Sequence, residues 1–259
     1  GPGREVSVGE ATAVYHFCAF ERAHSGGNAS NAHSLCHALS LEDALAFEYA
    51  DDLKHWHKKS YGMAINARMA CPLLRHLLSA LQARAAGASD AQAELLFAHG
   101  ETLLPLLSLL GLFKDRIPLT ASLSREDRDA RVFRGSRVLP MAANLQLILL
   151  RCNGTEVKDE AWQVLALHNE RPIALPLCQP DAHAGDAVAQ SQPHGESHPA
   201  KVTPRLLCPL AALLAAHVDG QVDGQTSGSS PLGADACGFD ALCRNAAPIS
   251  SSSPPSSSS

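Results

Sequence analysis

The chain has 259 residues, enough for one large domain or two small ones. Aromatic residues make up 5% of it and its formal net charge is −5, so no global basic field argues for nucleic acid as a partner. No apolar run reaches the roughly 18 residues of a membrane span, and no signal peptide is visible. The chain starts on Gly1 rather than Met and is expected to be a fragment or a processed product.

In chain order, residues 1–10 are polar and Gly-rich, and a helix is predicted from Thr12 to Ala23 with Tyr15, Phe17, Cys18 and Phe20. Residues 24–37 read as a loop; a bridge between Cys18 and Cys36, which flank it, would staple it. Ser40-Leu41-Glu42-Asp43 opens the next helix with a capping-box pattern. Leu41, Leu45, Tyr49, Leu53 and Trp56 then recur at helical spacing along one face. Acids lead this helix and Lys54, Lys58 and Lys59 close it, as the helix dipole favours. Ser60-Tyr61-Gly62 breaks it, and a third helix starts near Pro72 and stops near Gly87. From Leu53 to Ser89 the bases Lys54, Lys58, Lys59, Arg68, Arg75 and Arg84 occur without a single acid. That pattern is either a solvated face or a wall that attracts a polyanion.

The central stretch is Glu94-Leu95-Leu96-Phe97-Ala98-His99-Gly100-Glu101-Thr102, running on into a Leu-rich segment that ends at Gly111. It reads as a short buried strand over Leu95–Ala98, a turn relaxed by Gly100, and a helix. Thr102 is the expected cap, Pro105 is expected in the first turn, and Gly111 marks the stop. This places an imidazole, a carboxyl and free backbone N–H groups at one helix N-terminus. An anion suits the N–H groups and the dipole, and Glu101 can give a proton to a leaving oxygen. The triplet alone carries little, because His194-Gly195-Glu196 repeats it without a strand before or a helix after. A purely structural role for His99 stands beside the chemical one.

Arg116 to Ala130 reads as a charged loop, and Arg125, Arg128, Arg131, Arg134 and Arg137 form a second basic cluster diluted by Glu126, Asp127 and Asp129. Leu145–Arg151 and Trp162–His168 read as antiparallel core strands, with Asn153-Gly154 marking a turn between them. Ile173–Leu177 reads as a last short strand. Residues 179–202 shift to Ala, Gln, His, Asp and Gly and are expected to be flexible, a helix is expected at 206–217, and 218–234 reads as linker. Ser250–Ser259 is Ser/Pro low complexity.

None of the eight cysteines forms a C-x-x-C pair, which weakens zinc and thioredoxin-like readings. Their even number fits disulfides in an oxidising compartment, with connectivity left open beyond the Cys18–Cys36 guess and a small Cys237–Cys243 loop. Two sequons, at Asn28 and Asn153, point the same way, toward the endoplasmic reticulum lumen or secretion. The histidines at i, i+4 spacing (His33/His37, His194/His198) lie in loop or low-complexity sequence, so neither a metal nor a cofactor is predicted.

The run His99-Gly100-Glu101-Thr102-Leu103-Leu104-Pro105-Leu106-Leu107-Ser108-Leu109-Leu110-Gly111-Leu112-Phe113-Lys114-Asp115 closely resembles the proton-donor segment of the histidine acid phosphatases, in the multiple inositol polyphosphate phosphatase branch. The usual turn there is His-Ala-Glu; Gly100 for Ala is expected to be harmless. Phe17–Glu21, Glu48–Lys54, Tyr61–Asn66, Val138–Leu145 and His168–Pro172 resemble the same family in order and spacing. The resemblance spans roughly residues 12–178. It implies an α/β domain with a mixed central sheet and an inserted all-α domain. On this basis residues 1–90 correspond to the end of the α-helical domain and the helix returning to the sheet. Residues 91–178 correspond to the end of the α/β domain, and 179–259 to a variable tail. It further implies hydrolysis of phosphate monoesters, inositol hexakisphosphate above all, through a phosphohistidine. His99 would contact the scissile phosphate and Glu101 would protonate the leaving alkoxide. The implied partner is a small phosphorylated molecule; oligomeric state is not indicated.

One departure matters. The family nucleophile lies in Arg-His-Gly-x-Arg-x-Pro, and no Arg-His-Gly occurs here; Arg75-His76-Leu77 is the nearest and lies on a Leu-rich helix. The chain therefore resembles only the C-terminal part of the family. Alone it is expected to be inactive and poorly stable. Two hypotheses stand: an incomplete sequence of a working phosphatase, or a truncated, non-catalytic product that binds anions.

Overall fold

A computed structural model describes residues 5–25, 34–152, 161–178 and 206–218. The sequons at Asn28 and Asn153, the Asn153-Gly154 turn, Cys237, Cys243 and most of the tail lie outside them.

Helix α1 (Val8–His24) is capped by Ser7 in a reciprocal capping box with Glu10, and starts a few residues earlier than its apolar pattern indicates. It buries none of its residues. It is held instead by the Cys18–Cys36 disulfide, by Tyr15 stacked on Phe47, and by Glu21, which accepts from the Ser34 hydroxyl and the Leu35 N–H. Helix α2 (Leu41–Lys59) begins at the expected Ser40–Asp43 capping box. The short α3 (Ala64–Arg68) follows, and α4 (Cys71–Ala85) carries Pro72 in its first turn; Gly87 ends it at φ +70°.

Helix α5 (Gly100–Leu109) is the hub of the interior: Leu104 through Leu109 are all buried. Leu74 and Leu78 of α4 pack into the same cluster, with Phe133, Leu119 and Val138. Buried polar groups are satisfied there. Ser108 donates to the Leu104 carbonyl and shares a 2.7 Å hydroxyl contact with Ser60. The Asn66 amide donates to the carbonyls of His57 and Ser60. Gly111 ends the helix at φ +77°, as predicted.

The loop predicted from Arg116 to Ala130 contains α6 (Arg125–Ala130), capped by Ser124, and α7 (Gly135–Val138) follows. Strands β1 (Leu145–Cys152) and β2 (Ala161–His168) pair antiparallel in the expected order, from Leu145↔His168 to Cys152↔Ala161. Asn169 and Glu170, both at positive φ, make a two-residue turn into β3 (Arg171–Ile173). The last strand is therefore displaced toward the turn, and Pro176–Cys178 is a 3-10 turn rather than its end. The expected helix at 206–217 splits into β4 (Leu207–Pro209) and α8 (Leu210–Val218). β3 and β4 lie end to end on one edge of β2, with β1 on the other. The backbone of residues 207–209 goes to strand because β2 offers unpaired groups where β3 leaves it, and a Cys178–Cys208 disulfide holds it there.

The main departure concerns Leu95–Ala98. This stretch is not a buried strand. Residues 93–99 lie outside any helix or strand, with Leu95 76% and Phe97 93% exposed. A strand needs a neighbour to take its backbone hydrogen bonds, and among the described residues none lies beside this one.

Candidate active site

The helix opens at once after the extended stretch. His99 is the N-cap residue, Gly100 the first helical residue and Glu101 the second. No turn intervenes, and Thr102 is not the cap; its N–H, like that of Leu103, instead bonds the His99 carbonyl. Pro105 lies inside the helix rather than in its first turn, where it withholds the N–H that the Glu101 carbonyl would accept.

His99 and Glu101 are both exposed, and neither side chain has a hydrogen-bond partner among the described residues. The N–H groups of Gly100 and Glu101 point out of the N-terminus equally unbonded among those residues. An anion approaching the two N–H groups gains from the field of the helix dipole. The helix behind them is fixed by its buried leucines, so the pair stands on a rigid base. A Cβ on Gly100 would lie 3.2 Å from Cδ1 of Leu139, so the helix start packs against the segment leading from α7 to β1.

That segment is itself held. Ala142 takes φ +61°. The Asn144 N–H donates to the Asn169 side-chain oxygen, the Asn169 amide donates to the Arg137 carbonyl, and Asn144 reaches Glu170 at 2.7 Å. His168, buried beneath, contacts the Val138 carbonyl through Nε2 at 2.9 Å and lies against the Phe113 ring. Burial pushes its pKa down, so it is a neutral structural imidazole donating to that carbonyl. The stretches Val138–Leu145 and His168–Pro172 thus brace one another behind the helix start. Sequence reasoning matched both to the family without assigning them this role.

The second basic cluster is not an open cationic surface. Arg131, 3% exposed in its side chain, donates twice to Asp52 and once to Glu48. Arg134 also reaches Glu48, and Arg125 pairs with Glu42. Arg128 and Arg131 lie over the Tyr49 ring. The signal for this was the acidic run in α2, which sequence spacing could not connect to arginines so far along the chain. In the first basic stretch, Arg84 donates to the Ser89 carbonyl and His76 contacts Glu94. Among the described residues no group of three or more His, Cys, Asp or Glu is placed to hold a metal ion.

Residues 2–165 match the model of the histidine phosphatase superfamily (branch 2). The chain belongs to this family. It is similar to multiple inositol polyphosphate phosphatase 1 of Homo sapiens, 33% identical over 183 residues that make up 69% of this chain and 37% of that protein. The Gallus gallus protein of the same name is 39% identical over 144 residues, 53% of this chain and 32% of its own length. The chain thus spans about a third of the length of the curated relatives it matches. Among solved structures, Bifidobacterium longum multiple inositol polyphosphate phosphatase in complex with inositol hexasulfate is 27% identical, with a TM-score of 0.48, covering 61% of this chain and 33% of that one. With its helices and antiparallel ladders the chain is α/β, as the resemblance implies.

Proposed function

We propose that this chain carries the proton-donor part of an inositol polyphosphate phosphatase. The observation that carries the reading is the start of α5: an exposed imidazole and an exposed carboxyl flank uncapped N–H groups, in a chain of the branch 2 histidine phosphatases. In this reading a phosphate of inositol hexakisphosphate or a related ester lies at the helix N-terminus. His99 donates a hydrogen bond to a phosphoryl oxygen. The phosphorus is attacked by a histidine that belongs to polypeptide outside these 259 residues. As the P–O bond to the inositol breaks, Glu101, carrying a proton, transfers it to the leaving alkoxide. An alkoxide leaves poorly without that proton, and developing charge on the phosphoryl oxygens is met by fixed donors.

The test is phosphate release from inositol hexakisphosphate. The 259-residue chain alone is expected to release none; a polypeptide that also carries an Arg-His-Gly-x-Arg-x-Pro segment is expected to turn over. In that polypeptide Glu101→Gln should slow release at least about 100-fold while substrate binding persists. Turnover unchanged by that substitution removes Glu101 from the role. A second reading, a non-catalytic anion-binding product, is favoured by the absence of Arg-His-Gly from the sequence. Binding of inositol hexakisphosphate by the chain without turnover in any longer form would select it. The Cys18–Cys36 and Cys178–Cys208 disulfides, together with the sequons at Asn28 and Asn153, support an oxidising compartment: the endoplasmic reticulum lumen or secretion.

A further inference from the structure

After α5 the chain encloses a cavity of about 530 Å³, to which the helix start carrying His99 and Glu101 contributes no residue. One wall is the segment from Lys114 to Leu119; the other is α6 and the residues after it, to Val132. The two walls are tied together. Asp115 accepts the Val132 N–H at 2.6 Å and the Phe133 N–H at 3.1 Å, one through each carboxylate oxygen. Further along, the Tyr49 hydroxyl donates to the Thr120 carbonyl at 2.6 Å. Phe113, buried at φ +57°, makes the bend that leads into the first wall. A non-glycine residue in that conformation is held against its own steric preference, so its surroundings fix the bend. The space is therefore built into the fold rather than left between loose loops.

Its lining divides by chemistry. Leu119, Leu123 and Val132 supply an apolar floor, with Leu119 fully buried. Three of the charged residues there are already answered. Asp115 has its two N–H groups, and Asp127 accepts the Ser124 hydroxyl at 2.8 Å at the start of α6. Arg131 is engaged by Asp52 and Glu48. Lys114 and Arg116, both exposed, differ: neither forms an ion pair among the described residues. Lys114 stands over the Tyr61 ring, 5.7 Å from its centroid. Two open cations beside an apolar floor, in a volume of the size that holds small organic ligands, complement an anion with a compact apolar body. We infer that this cavity is a binding site for a small amphiphilic monocarboxylate. The apolar body lies on Leu119, Leu123 and Val132. The carboxylate meets Arg116, whose planar fork matches its two oxygens, with the Lys114 ammonium beside it. The inference stands whether or not His99 and Glu101 are catalytic.

The experiment titrates three probes into the 259-residue chain and follows its methyl resonances by NMR. The first is 2-naphthoate, the second 2-naphthamide, an uncharged molecule of nearly the same shape. The third is inositol hexakisphosphate, an anion with many charges and no apolar body. 2-Naphthoate should bind with a Kd of about 1 mM or tighter and shift the methyls of Leu119, Leu123 and Val132. 2-Naphthamide should bind at least about 5-fold more weakly. Arg116→Gln should lose about that factor for the carboxylate and nothing for the amide. The thermal melt should be unchanged by it, since Arg116 is exposed and holds no ion pair among the described residues. The parent's preference for carboxylate over amide decides the matter even where a variant fails to fold. Inositol hexakisphosphate should not displace 2-naphthoate. The proposal falls if 2-naphthoate leaves those methyls unmoved, if the amide binds equally well, or if folded Arg116→Gln keeps the full preference. It falls equally if inositol hexakisphosphate displaces the probe, which would assign the two cations to a polyphosphate instead.

Discussion

Asp52 in α2 and Arg131, 79 residues later, meet in the interior through two hydrogen bonds, Nε to Oδ2 at 2.9 Å and Nη2 to Oδ2 at 2.6 Å. The other carboxylate oxygen accepts the Gly135 N–H at 2.7 Å. Burial pushes the Asp52 carboxyl upward, and the guanidinium and the Gly135 N–H oppose that. Removing the charge strands a buried guanidinium. Asp52→Asn should therefore cost about 3 kcal/mol, the low end for breaking a buried pair, because Glu48 still accepts from Arg131. Thermal unfolding should register this as a drop of roughly 6–12 °C. A drop under 2 °C would mean that the pair does not tie α2 to the segment after α6.

The same carboxylate leaves no room at Gly135, where a Cβ would sit 2.8 Å from Asp52 Oδ1. Gly135→Ala must displace the carboxylate from Arg131 and from its own N–H. Its cost should approach that of Asp52→Asn, and the two substitutions together should cost much less than their sum. Gly87 is the control. At φ +70° with nothing within 4 Å of its Cβ position, Gly87→Ala should cost only the left-handed strain, about 1 kcal/mol. Chemical denaturation of the two single variants and the double variant decides whether Gly135 and Asp52 are coupled.

The parts of the fold that could be read from sequence are those whose causes are local. Ser40 and Asp43 lie three residues apart, and the capping box they form is complete. β1 and β2 carry their own apolar runs, so their pairing followed. What failed depended on partners remote in the chain. Leu95–Ala98 has the residues of an interior strand, yet a strand exists only when a neighbour takes its hydrogen bonds. Cys178 and Cys208 are 30 residues apart, and nothing in the spacing distinguishes them from the other cysteines. Arg131 looked like one base in a diluted cluster because Asp52 and Glu48 lie in a different helix. At the candidate site the residue types were legible and the geometry less so. Thr102 has the better capping side chain, but the Thr102 and Leu103 N–H groups bond the His99 carbonyl, and that makes His99 the N-cap.

Gly100 is the point where this chain departs from the His-Ala-Glu turn of the family it resembles. A Cβ there meets Leu139 Cδ1 at 3.2 Å, the far end of a flexible side chain that need yield only a few tenths of an ångström. Against that small cost, alanine narrows the unfolded ensemble, worth about 0.4–1 kcal/mol where the native backbone is compatible. Gly100→Ala should therefore be neutral to slightly stabilising in a denaturant melt. Destabilisation by more than 1 kcal/mol would show that Leu139 is pinned against the helix start.

His168 gives the fold a pH dependence with a fixed sign. Its pKa is lowered in the folded state, chiefly by burial, against an ordinary value of 6.5. The unfolded chain therefore binds a proton at a pH where the folded chain does not. Stability from this group is complete above pH 6.5 and is lost as pH falls below it toward the folded-state value. Protonation in the folded state would put a charge beside the Phe113 ring, in a buried site where the Val138 carbonyl and the charge of Glu170 oppose the cost of burial without outweighing it. His168→Asn, which cannot titrate, should be less stable than the parent at pH 7.5. Its stability should also fall less between pH 7 and pH 5. Unfolding free energies measured for both proteins across that range test the sign directly. Parallel curves, with the same loss toward acid in each, would assign the acid sensitivity to other groups.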